Sequence, residues 1–430
     1  MKKHHPLLLL FFFFFIISTI SFSQAPAIEW QHSYGGSADD KALSAIQTLD
    51  GGYIAAGSTE SVDSDVVDNK VKLNCWVIKL FNNGKLDWKK CIGEETAHQA
   101  NDIIQTKDRC YVLAGSTMLK GGNYSGIHGG DDYWLTKLNA DLVPQWTRTY
   151  GGKSDDVAKS IQATRDGGYI VAGWGGAAGI NITRNLGGND FWLLKLNKQG
   201  SIQWQNSLGG SGIDNAAGVT STPDGGYVAA GYSSSNNLNV TGNHGAADCW
   251  IVKVDSGGII EWEKSMGGSS LDYAYSIELT SDNGLIIAGA TESTDGDVSG
   301  NHGKSDAWII KTDSHGKVEW QKCLGGKNDD AAYCVRQTKD GGYIIAGSTS
   351  SNDGDVKGNH GGMDAWIIKL DEKGTMSWQK CLGGSKDEQA KTIRQTVDGG
   401  YIISAYSKSA NGDVSSNKGN YDYWIIKLKP

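Results

Sequence analysis

Short apolar runs alternate with polar clusters rich in Gly, Asp and Asn along nearly the whole chain. The segment from residue 317 to residue 370 shows the pattern: four apolar, β-branched runs, with a long polar stretch between the third and the fourth. No segment has the periodicity of an amphipathic helix. Runs of this kind, bounded by turn-forming residues, predict four strands in each unit, at 317–324, 331–338, 343–347 and 366–370.

Two series of tryptophans repeat this pattern, and in both series 58 residues separate each tryptophan from the next. An unvarying period indicates a tandem array in which each repeat is one supersecondary unit. The series in the fourth run is Trp76, Trp134, Trp192, Trp250, Trp308, Trp366 and Trp424. The series in the opening run is Trp30, Trp88, Trp146, Trp204, Trp262, Trp320 and Trp378.

The ends of the array favour a closed ring over an open stack. The last repeat lacks the strand that would carry its second tryptophan, and residues 28–31 supply a strand of that type. Pairing the two removes the open sheet edges that a linear array would leave. The sequence therefore predicts an all-β fold, a seven-bladed β-propeller of four-stranded blades, closed by an N-terminal strand that completes the last blade. Residues 24–430 are expected to form a single domain.

The Lys-Leu-Asp-x-x-Gly-x-x-x-Trp pattern at 369–378 resembles the tryptophan-docking motif of quinoprotein-type propellers, in which the indole locks neighbouring blades together. The whole repeat, with its Asp-Gly-Gly-Tyr-Ile and Gly-Asn-His-Gly segments, resembles secreted bacterial seven-bladed β-propeller repeat proteins over residues 28–430. The resemblance implies the fold and leaves the activity open. It implies no quinone, because the chain has no vicinal cysteine pair.

Residues 1–23 have the pattern of a signal peptide. Lys2 and Lys3 precede an apolar run at 7–17, and Ser21 and Ser23 form a small-x-small cleavage site. The pattern predicts a chain that is secreted or placed in the periplasm or at the cell surface, without membrane insertion. The chain has 40 basic and 48 acidic residues and no basic cluster, which argues against a nucleic-acid partner. We expect a monomer.

The seven cysteines of an exported chain raise the question of disulfides. Their repeat positions argue against them, because other repeats carry Ser, Thr, Ala, Tyr or Phe at the same places. Cysteine is here an interchangeable core residue, and we expect mostly free, buried thiols. Cys323 and Cys334, on neighbouring strands, are the one pair to test.

An acidic residue or a histidine stands ten residues after each outer tryptophan, at the start of the predicted inner strand. One interpretation is a ligand-binding ring at the channel mouth that holds a cation or a basic group. The other is that each carboxylate bonds loop amides of its own blade. The members are Asp40, His98, Asp156, Asp214, Asp272, Asp330 and Glu388.

The long loops repeat Asp-Gly-Asp-Val and Gly-Asn-His-Gly. Asp295 with Asp297 and Asp353 with Asp355 resemble fragments of oxygen-rich calcium loops, although Asx turns explain them as well. Calcium is therefore the one candidate ion, and no other cofactor is expected. Four loop histidines share one repeat position and are expected to bond the backbone rather than a metal: His128, His244, His302 and His360.

Every repeat also carries a lysine in its fourth run, with Asp or Asn five residues earlier. An ion pair between blades, or a lysine stem that extends to solvent, is the expected structural role. The lysines are Lys79, Lys137, Lys195, Lys253, Lys311, Lys369 and Lys427.

Trp174 is the only tryptophan outside the two series, and residues 173–180 replace a polar loop with an aromatic and apolar stretch. An exposed indole on a loop would be a platform for a sugar ring or a protein hot spot. The alternative is that the indole folds back over its own loop.

The sequence favours a secreted, non-enzymatic binding or scaffold propeller that recognises a protein or a glycan on its loop face near Trp174. A second hypothesis is a secreted polysaccharide-active enzyme, a lyase or a hydrolase, that uses the channel-mouth carboxylates and His98 as acid and base. A third is a calcium-stabilised structural module. No catalytic motif can be singled out from the sequence.

Overall fold

The computed structural model describes residues 24–93, 97–118 and 129–430, and in these the chain is all-β. The predicted signal peptide and His128 lie outside the described residues. Twenty-eight strands form seven four-stranded antiparallel sheets, which are the blades of a closed ring. Within the described ranges no helix has the length and apolarity needed to cross a membrane. The predicted fold class is confirmed.

Each blade runs from an inner strand at the channel to an outer strand at the rim. The inner strands are β2 (Asp40–Gln47), β6 (Ala97–Gln105), β10 (Asp156–Ala163), β14 (Asp214–Ser221), β18 (Asp272–Leu279), β22 (Asp330–Gln337) and β26 (Glu388–Gln395). The second strands are β3 (Tyr53–Thr59), β7 (Tyr111–Met118), β11 (Tyr169–Gly175), β15 (Tyr227–Ser233), β19 (Leu285–Thr291), β23 (Tyr343–Thr349) and β27 (Tyr401–Ser407).

The two remaining strands of each blade carry the two tryptophan series. The third strands are β4 (Asn74–Leu80), β8 (Asp132–Leu138), β12 (Asp190–Leu196), β16 (Asp248–Val254), β20 (Asp306–Thr312), β24 (Asp364–Leu370) and β28 (Asp422–Leu428). The outer strands are β5 (Leu86–Ile92), β9 (Pro144–Tyr150), β13 (Ile202–Leu208), β17 (Ile260–Met266), β21 (Val318–Leu324), β25 (Met376–Leu382) and, for the seventh blade, β1 (Ile28–Tyr34).

The ring closes as predicted. The seventh sheet has the order β1-β28-β27-β26, so the first strand of the fold is the outer strand of the last blade. In this ladder Ser33 pairs with Trp424, and Trp30 pairs with Lys427. The indole Nε1 of Trp424 donates a hydrogen bond to Oε1 of Gln31 at 2.5 Å.

Seven apolar cores lie between neighbouring blades. The core between the fifth and sixth blades, for example, joins Ile286 and Ile309 of one sheet to Val335, Ile345 and Trp366 of the next. All seven tryptophans of the third strands are fully buried in such cores. All seven cysteines are buried and free, so the expected thiols are confirmed and Cys323 is not bonded to Cys334. Apolar burial thus joins each blade to its neighbours.

The repeated lysines form ion pairs, but not between blades as one of the two expectations had it. Each ammonium lies 2.6–3.0 Å from the aspartate in the turn between the first two strands of its own blade, as Lys195 does with Asp166. The pair is therefore within a blade rather than between blades. The Asp or Asn five residues earlier is engaged elsewhere: Asp306, for example, contacts His302. The sequence did not predict this contact, because the turn lies between the first and second strands of the blade whereas the lysine is on the third.

Candidate binding site in the central channel

The seven inner strands surround a channel with a cavity of about 790 Å³. This volume lies in the range of ligand pockets. Every inner strand has a β-bulge at the same place, where the register shifts. A bulge leaves one residue without a ladder partner, and here that residue lines the cavity. The bulge residues are Leu43, Asn101, Lys159, Ala217, Tyr275, Tyr333 and Lys391.

Trp174 lies at the channel and not on a loop, which corrects the sequence interpretation. It belongs to strand β11, where it pairs with Val157 of β10 and Phe191 of β12. Its side chain is half-buried and lines the cavity. It stands at the end of the strand that leads into the long loop, so it marks the channel end on the loop face. The indole is therefore accessible from the channel.

Four tyrosines form an arc on one side of the channel, and three of them, Tyr232, Tyr275 and Tyr333, line the cavity. The ring centroids of Tyr232 and Tyr273 are 4.8 Å apart, and those of Tyr273 and Tyr275 are 5.9 Å apart in a stacked arrangement. Tyr275 and Tyr333 follow at 5.5 Å. The arc spans the fourth, fifth and sixth blades, and aromatic faces of this kind can pack against a flat ligand.

Four basic side chains line the same cavity: Lys159, Lys391, Arg336 and Arg394. The ammonium of Lys391 lies 3.4 Å from the ring centroid of Tyr333. Burial and the charge of Lys159 lower the pKa of Lys391 to about 7. Lys159 is open to the channel, but the surrounding channel walls desolvate its ammonium and lower its pKa as well. The two ammonium groups therefore repel each other across the channel.

Two acidic side chains line the cavity as well, and both bond to backbone amides. Asp102 accepts from the Ser44 hydroxyl at 3.0 Å and from the amide of Ile161 at 3.1 Å. Glu278 accepts from the amide of Gln337 at 2.6 Å. Both acids are thereby engaged with the inner strands.

The predicted acidic ring does not face the channel. The six carboxylates that stand with His98 at this repeat position are almost completely inaccessible to solvent, at 0–1% exposure. Asp40 is representative: its Oδ2 accepts hydrogen bonds from the amide of Gly36 at 2.7 Å and from the hydroxyl of Ser61 at 2.8 Å. The structure therefore turns Asp40, Asp156, Asp214, Asp272, Asp330 and Glu388 towards the loops of their own blades.

Each of these carboxylates faces a carboxylate from the third strand of the preceding blade. At the junction of the third and fourth blades, Asp190 Oδ1 and Asp214 Oδ2 lie 2.8 and 2.3 Å from the place a Cβ on Gly209 would take. Burial raises the pKa of Asp190 to about 6, and the charge of Asp214 adds to the shift. Burial also raises the pKa of Asp156, at the preceding junction, to about 7. The junctions thus hold carboxyl groups that favour the protonated form.

His98 replaces the acid at one junction, where Asn74 replaces the third-strand aspartate. Its imidazole stacks on Trp134 with the ring centroids 4.8 Å apart. Burial lowers the pKa of His98 to about 4, so the ring is neutral at neutral pH. His98 lies in the second blade and Asp330 in the sixth, and Asp330 is buried. The structure therefore does not bring His98 and Asp330 together as the acid and base that the enzyme hypothesis requires.

The calcium candidates tie two loops of one blade together. Oδ1 of Asp295 accepts from the amide of Ser269 at 2.8 Å, and Oδ1 of Asp353 accepts from that of Lys327 at 2.9 Å. Oδ2 of Asp297 and of Asp355 accept more weakly, at 3.3 Å, from glycine amides. In the part of the chain that is described, no group of three or more candidate ligands converges on one point. Calcium binding here stays a prediction.

The loop histidines bond a side chain rather than the backbone. Nδ1 of His244, His302 and His360 lies 2.6–2.7 Å from the buried carboxylate four residues later. Asp248 is the partner of His244, and this hydrogen bond raises the pKa of the imidazole. The expectation of backbone bonding was wrong, because the loop folds back onto the strand it precedes.

Sequence reasoning missed the channel residues Lys159, Lys391, Tyr275 and Tyr333. Their repeat position follows a residue that is alanine in every blade, yet this position holds seven side chains of widely different character. Such variation at one position of an otherwise uniform array was the available signal. Trp174 alone was singled out, and its place at the channel differs from the one expected.

The chain is similar to known proteins in fold but not in sequence. No protein-family model matches it, and no curated protein matches it in sequence. Among solved structures it is similar to Sqt1 from Chaetomium thermophilum, with a TM-score of 0.50 and 10% identity over 94% of this chain and 100% of that chain. The similarity to YCF48 bound to D1 peptide has a TM-score of 0.47 and 8% identity, covering 95% and 98% of the two chains. The similarity to Sqt1 concerns the fold alone.

Proposed function

We propose that this protein is a secreted, non-enzymatic binding propeller whose partner, a protein or a glycan, enters the channel from the loop face. The cavity carries the proposal. It combines a volume of about 790 Å³ with an aromatic arc, four basic groups and several amides. Ligand sites combine apolar and aromatic walls with placed polar groups that fix the orientation of the ligand. Trp174 stands at the loop-face end, where a partner would first make contact.

The rim of the channel is held in place by the side chains of its loops. Asp295 and Asp353 each join the long loop of a blade to the neighbouring outer-to-inner loop. Asn243 and Asn301 each donate to two backbone carbonyls at the start of their own long loop. A rim fixed in this way loses little conformational entropy on binding. This supports a recognition surface on that face.

Replacing Trp174 by alanine tests the proposal. The residue 24–430 chain, immobilised, would be exposed to a glycan array and to isolated candidate extracellular proteins. We expect at least one partner, and about tenfold or greater loss of its affinity in Trp174→Ala, as for an aromatic hot spot. Val397→Ala is the matched control, since Val397 is exposed on the opposite face, beside the Asp-Gly-Gly turn.

A partner bound equally well by Trp174→Ala would contradict the channel as the site. Hydrolysis or elimination of a polysaccharide by the wild-type chain would contradict the non-enzymatic role. Loss of that activity in a His98→Ala variant would then support the hypothesis of a polysaccharide-active enzyme.

A further inference from the structure

The channel is a cationic compartment in an acidic protein. The chain has a formal net charge of −8, whereas the cavity is lined by four basic side chains and two acidic ones. Both acids are bonded to backbone amides of the inner strands. Lys159 and Lys391 have no carboxylate within ion-pairing distance among the described residues. The excess positive charge of the lumen is therefore carried by amines that face the cavity.

The basic groups of the channel repel one another. The pKa of Lys391 lies near 7 because of burial and of repulsion from Lys159. Arg394 is in a similar position, since burial and the charge of Arg336 lower its pKa. Within the described residues, the Nε of Arg394 has no hydrogen-bond partner. A bound anion would relieve the repulsion and hold both amines protonated.

The surroundings of the amines fit a sugar ring. Lys391 contacts the face of Tyr333, which continues the arc through Tyr275. Amide side chains at Gln99, Asn101 and Asn215 also line the cavity and suit hydroxyl groups. Flat aromatic surfaces beside amides and cations match a ligand that is polar, ring-shaped and negatively charged.

An acidic peptide fits less well, because the inner strands offer it no free edge. Peptides that bind sheets do so by adding a strand to exposed backbone groups. Here side chains of the adjacent inner strand already accept several of these amides. Gln162 accepts from the amide of Ser221, Thr392 from that of Ala45 and Asp102 from that of Ile161. Recognition in the channel must therefore use side chains.

We propose that the channel binds an acidic oligosaccharide, with Lys159 and Lys391 contacting its carboxylates and the tyrosine arc packing on its rings. The inference rests on the proposed function, since it takes the same channel as the site. It adds the class of ligand, a uronate-containing chain, and assigns the carboxylate contacts to residues of the third and seventh blades.

Calorimetric titration with three probes tests the ligand class. The probes are a short oligogalacturonate, the same oligomer as its neutral methyl ester, and hexaglutamate. We expect the oligogalacturonate to bind about tenfold or more tightly than the ester, because only it forms charge-assisted hydrogen bonds. Hexaglutamate should bind more weakly than the oligogalacturonate. Equal or tighter binding of the peptide would overturn the proposal in favour of an acidic peptide.

A double variant tests the residues. Lys159→Gln with Lys391→Gln should weaken oligogalacturonate binding about 100-fold and bring it close to that of the ester. Lys107→Gln, in an exposed turn on the face opposite the loops, is the control and should change little. A thermal melt of each variant confirms folding. Unchanged binding by a folded double variant would overturn the proposal.

The two proposals fail in different ways. No binding of oligogalacturonate by the wild type overturns the acidic-sugar inference, while a Trp174-dependent partner of another class would keep the proposed function. If no ligand bound in the channel and no partner's affinity depended on Trp174, both proposals would be overturned.

Discussion

At the residue scale, two sets of carboxyl groups have opposing effects of pH on stability: those paired with lysine within a blade and those buried at the junctions between blades. A hydrogen bond from Lys137 lowers the pKa of Asp108 to about 2, and the other Asp-Gly-Gly aspartates are lowered similarly. A carboxyl group whose pKa is lowered by folding stabilises the folded state at pH values above its ordinary pKa. This stabilisation is lost as the pH falls through the lowered value. The buried junction carboxyls behave in the opposite way, because their pKa is raised. Their stabilisation is complete below the ordinary value of 3.8 and is lost as the pH rises through the folded value.

Asp190→Asn should therefore stabilise the protein at alkaline pH. Its carboxyl has a pKa of about 6 in the fold, so deprotonation costs stability between pH 4 and pH 7. An amide cannot ionise, and the natural Asn74 at the equivalent position shows that the site accepts one. We expect a gain of about 1 kcal/mol at pH 8 and little change at pH 5. Chemical denaturation across this pH range measures it.

The exposed Asp141→Asn is the control and should leave the pH profile unchanged. A profile of Asp190→Asn that follows the wild type from pH 5 to pH 8 would contradict the assignment of the raised pKa to Asp190.

The channel residues could not be predicted at this scale because a bulge breaks the alternation of a strand. In β10, strict alternation from the buried Ala158 places Lys159 and Ile161 on one face. In the structure Lys159 is exposed in the channel and Ile161 lies in a core between blades. The sequence left two interpretations of the acidic ring open, and the structure has the second, in which each carboxylate bonds loop amides. Whether a carboxylate faces solvent or its own loop depends on loops whose folding the sequence does not specify.

At the element scale, the outer strands hold the ring together through their tryptophans. Trp204 of β13 packs on the turn of the next blade, where its Cε3 lies 3.0 Å from the place a Cβ on Gly258 would take. The indole Nε1 donates to the carbonyl of Ser256 at 2.9 Å, and Asn206 donates to that of Gly258 at 2.7 Å. The ring of Trp204 also lies 5.9 Å from that of Tyr227. A turn in one blade is thus a docking place for the preceding blade.

Gly258→Ala should destabilise this junction more than the same change in a turn without a neighbour. Gly258 has a φ of +87°, which a side chain adopts only with strain, and a methyl group would also press on Trp204. Gly225→Ala is the matched control, because Gly225 has a φ of +90° and nothing within 4 Å. We expect about 1 kcal/mol for Gly225→Ala and about 1–2 kcal/mol more for Gly258→Ala.

Equilibrium unfolding in guanidinium measures both variants. Equal losses would mean that the tryptophan contact contributes nothing beyond the backbone strain, which would contradict its role between blades.

Element boundaries were predicted closely because turn residues mark them. The predicted strands 317–324 and 331–338 correspond to β21 (Val318–Leu324) and β22 (Asp330–Gln337). The fourth run, predicted at 366–370, begins two residues earlier, at Asp364. Aspartate is disfavoured in strands, and here it starts one because its carboxylate bonds the preceding loop through His360.

At the scale of the whole molecule, removing β1 should open the ring. A chain that begins at Gly36 leaves β28 as an exposed edge and removes Trp30 from its contact with Tyr53 of the first blade. We expect a loss on the order of 3–5 kcal/mol, as for deletion of a packed tryptophan, together with self-association through the free edge. Thermal melts and size-exclusion chromatography measure the two effects.

A chain that begins at Ala27 is the control, since it retains β1 and the bond from Lys429 to the carbonyl of Ala27. A truncated protein that stays monomeric with an unchanged melting temperature would contradict closure through β1.

The architecture of the whole molecule was predictable from spacing alone. Fixed intervals between tryptophans gave the number of blades, and the orphan strand around Trp30 gave the way they close. The site was not predictable in the same way. It depends on how seven different side chains, each from its own blade, meet across a channel, and no pattern along the chain brings those positions together.

The pairing of β1 with β28 also constrains how the protein comes into being. The outer strand of the seventh blade is synthesised first, and the strand that receives it is synthesised last. Roughly 390 residues separate the two, so at typical rates of synthesis the first strand waits ~20–80 s. During that interval the first six blades can form one after another as their strands are synthesised, but the seventh cannot form until β28 is complete. A chaperone or a translocation machinery that occupies residues 28–34 until the end of translation would keep this strand from pairing with the wrong neighbour.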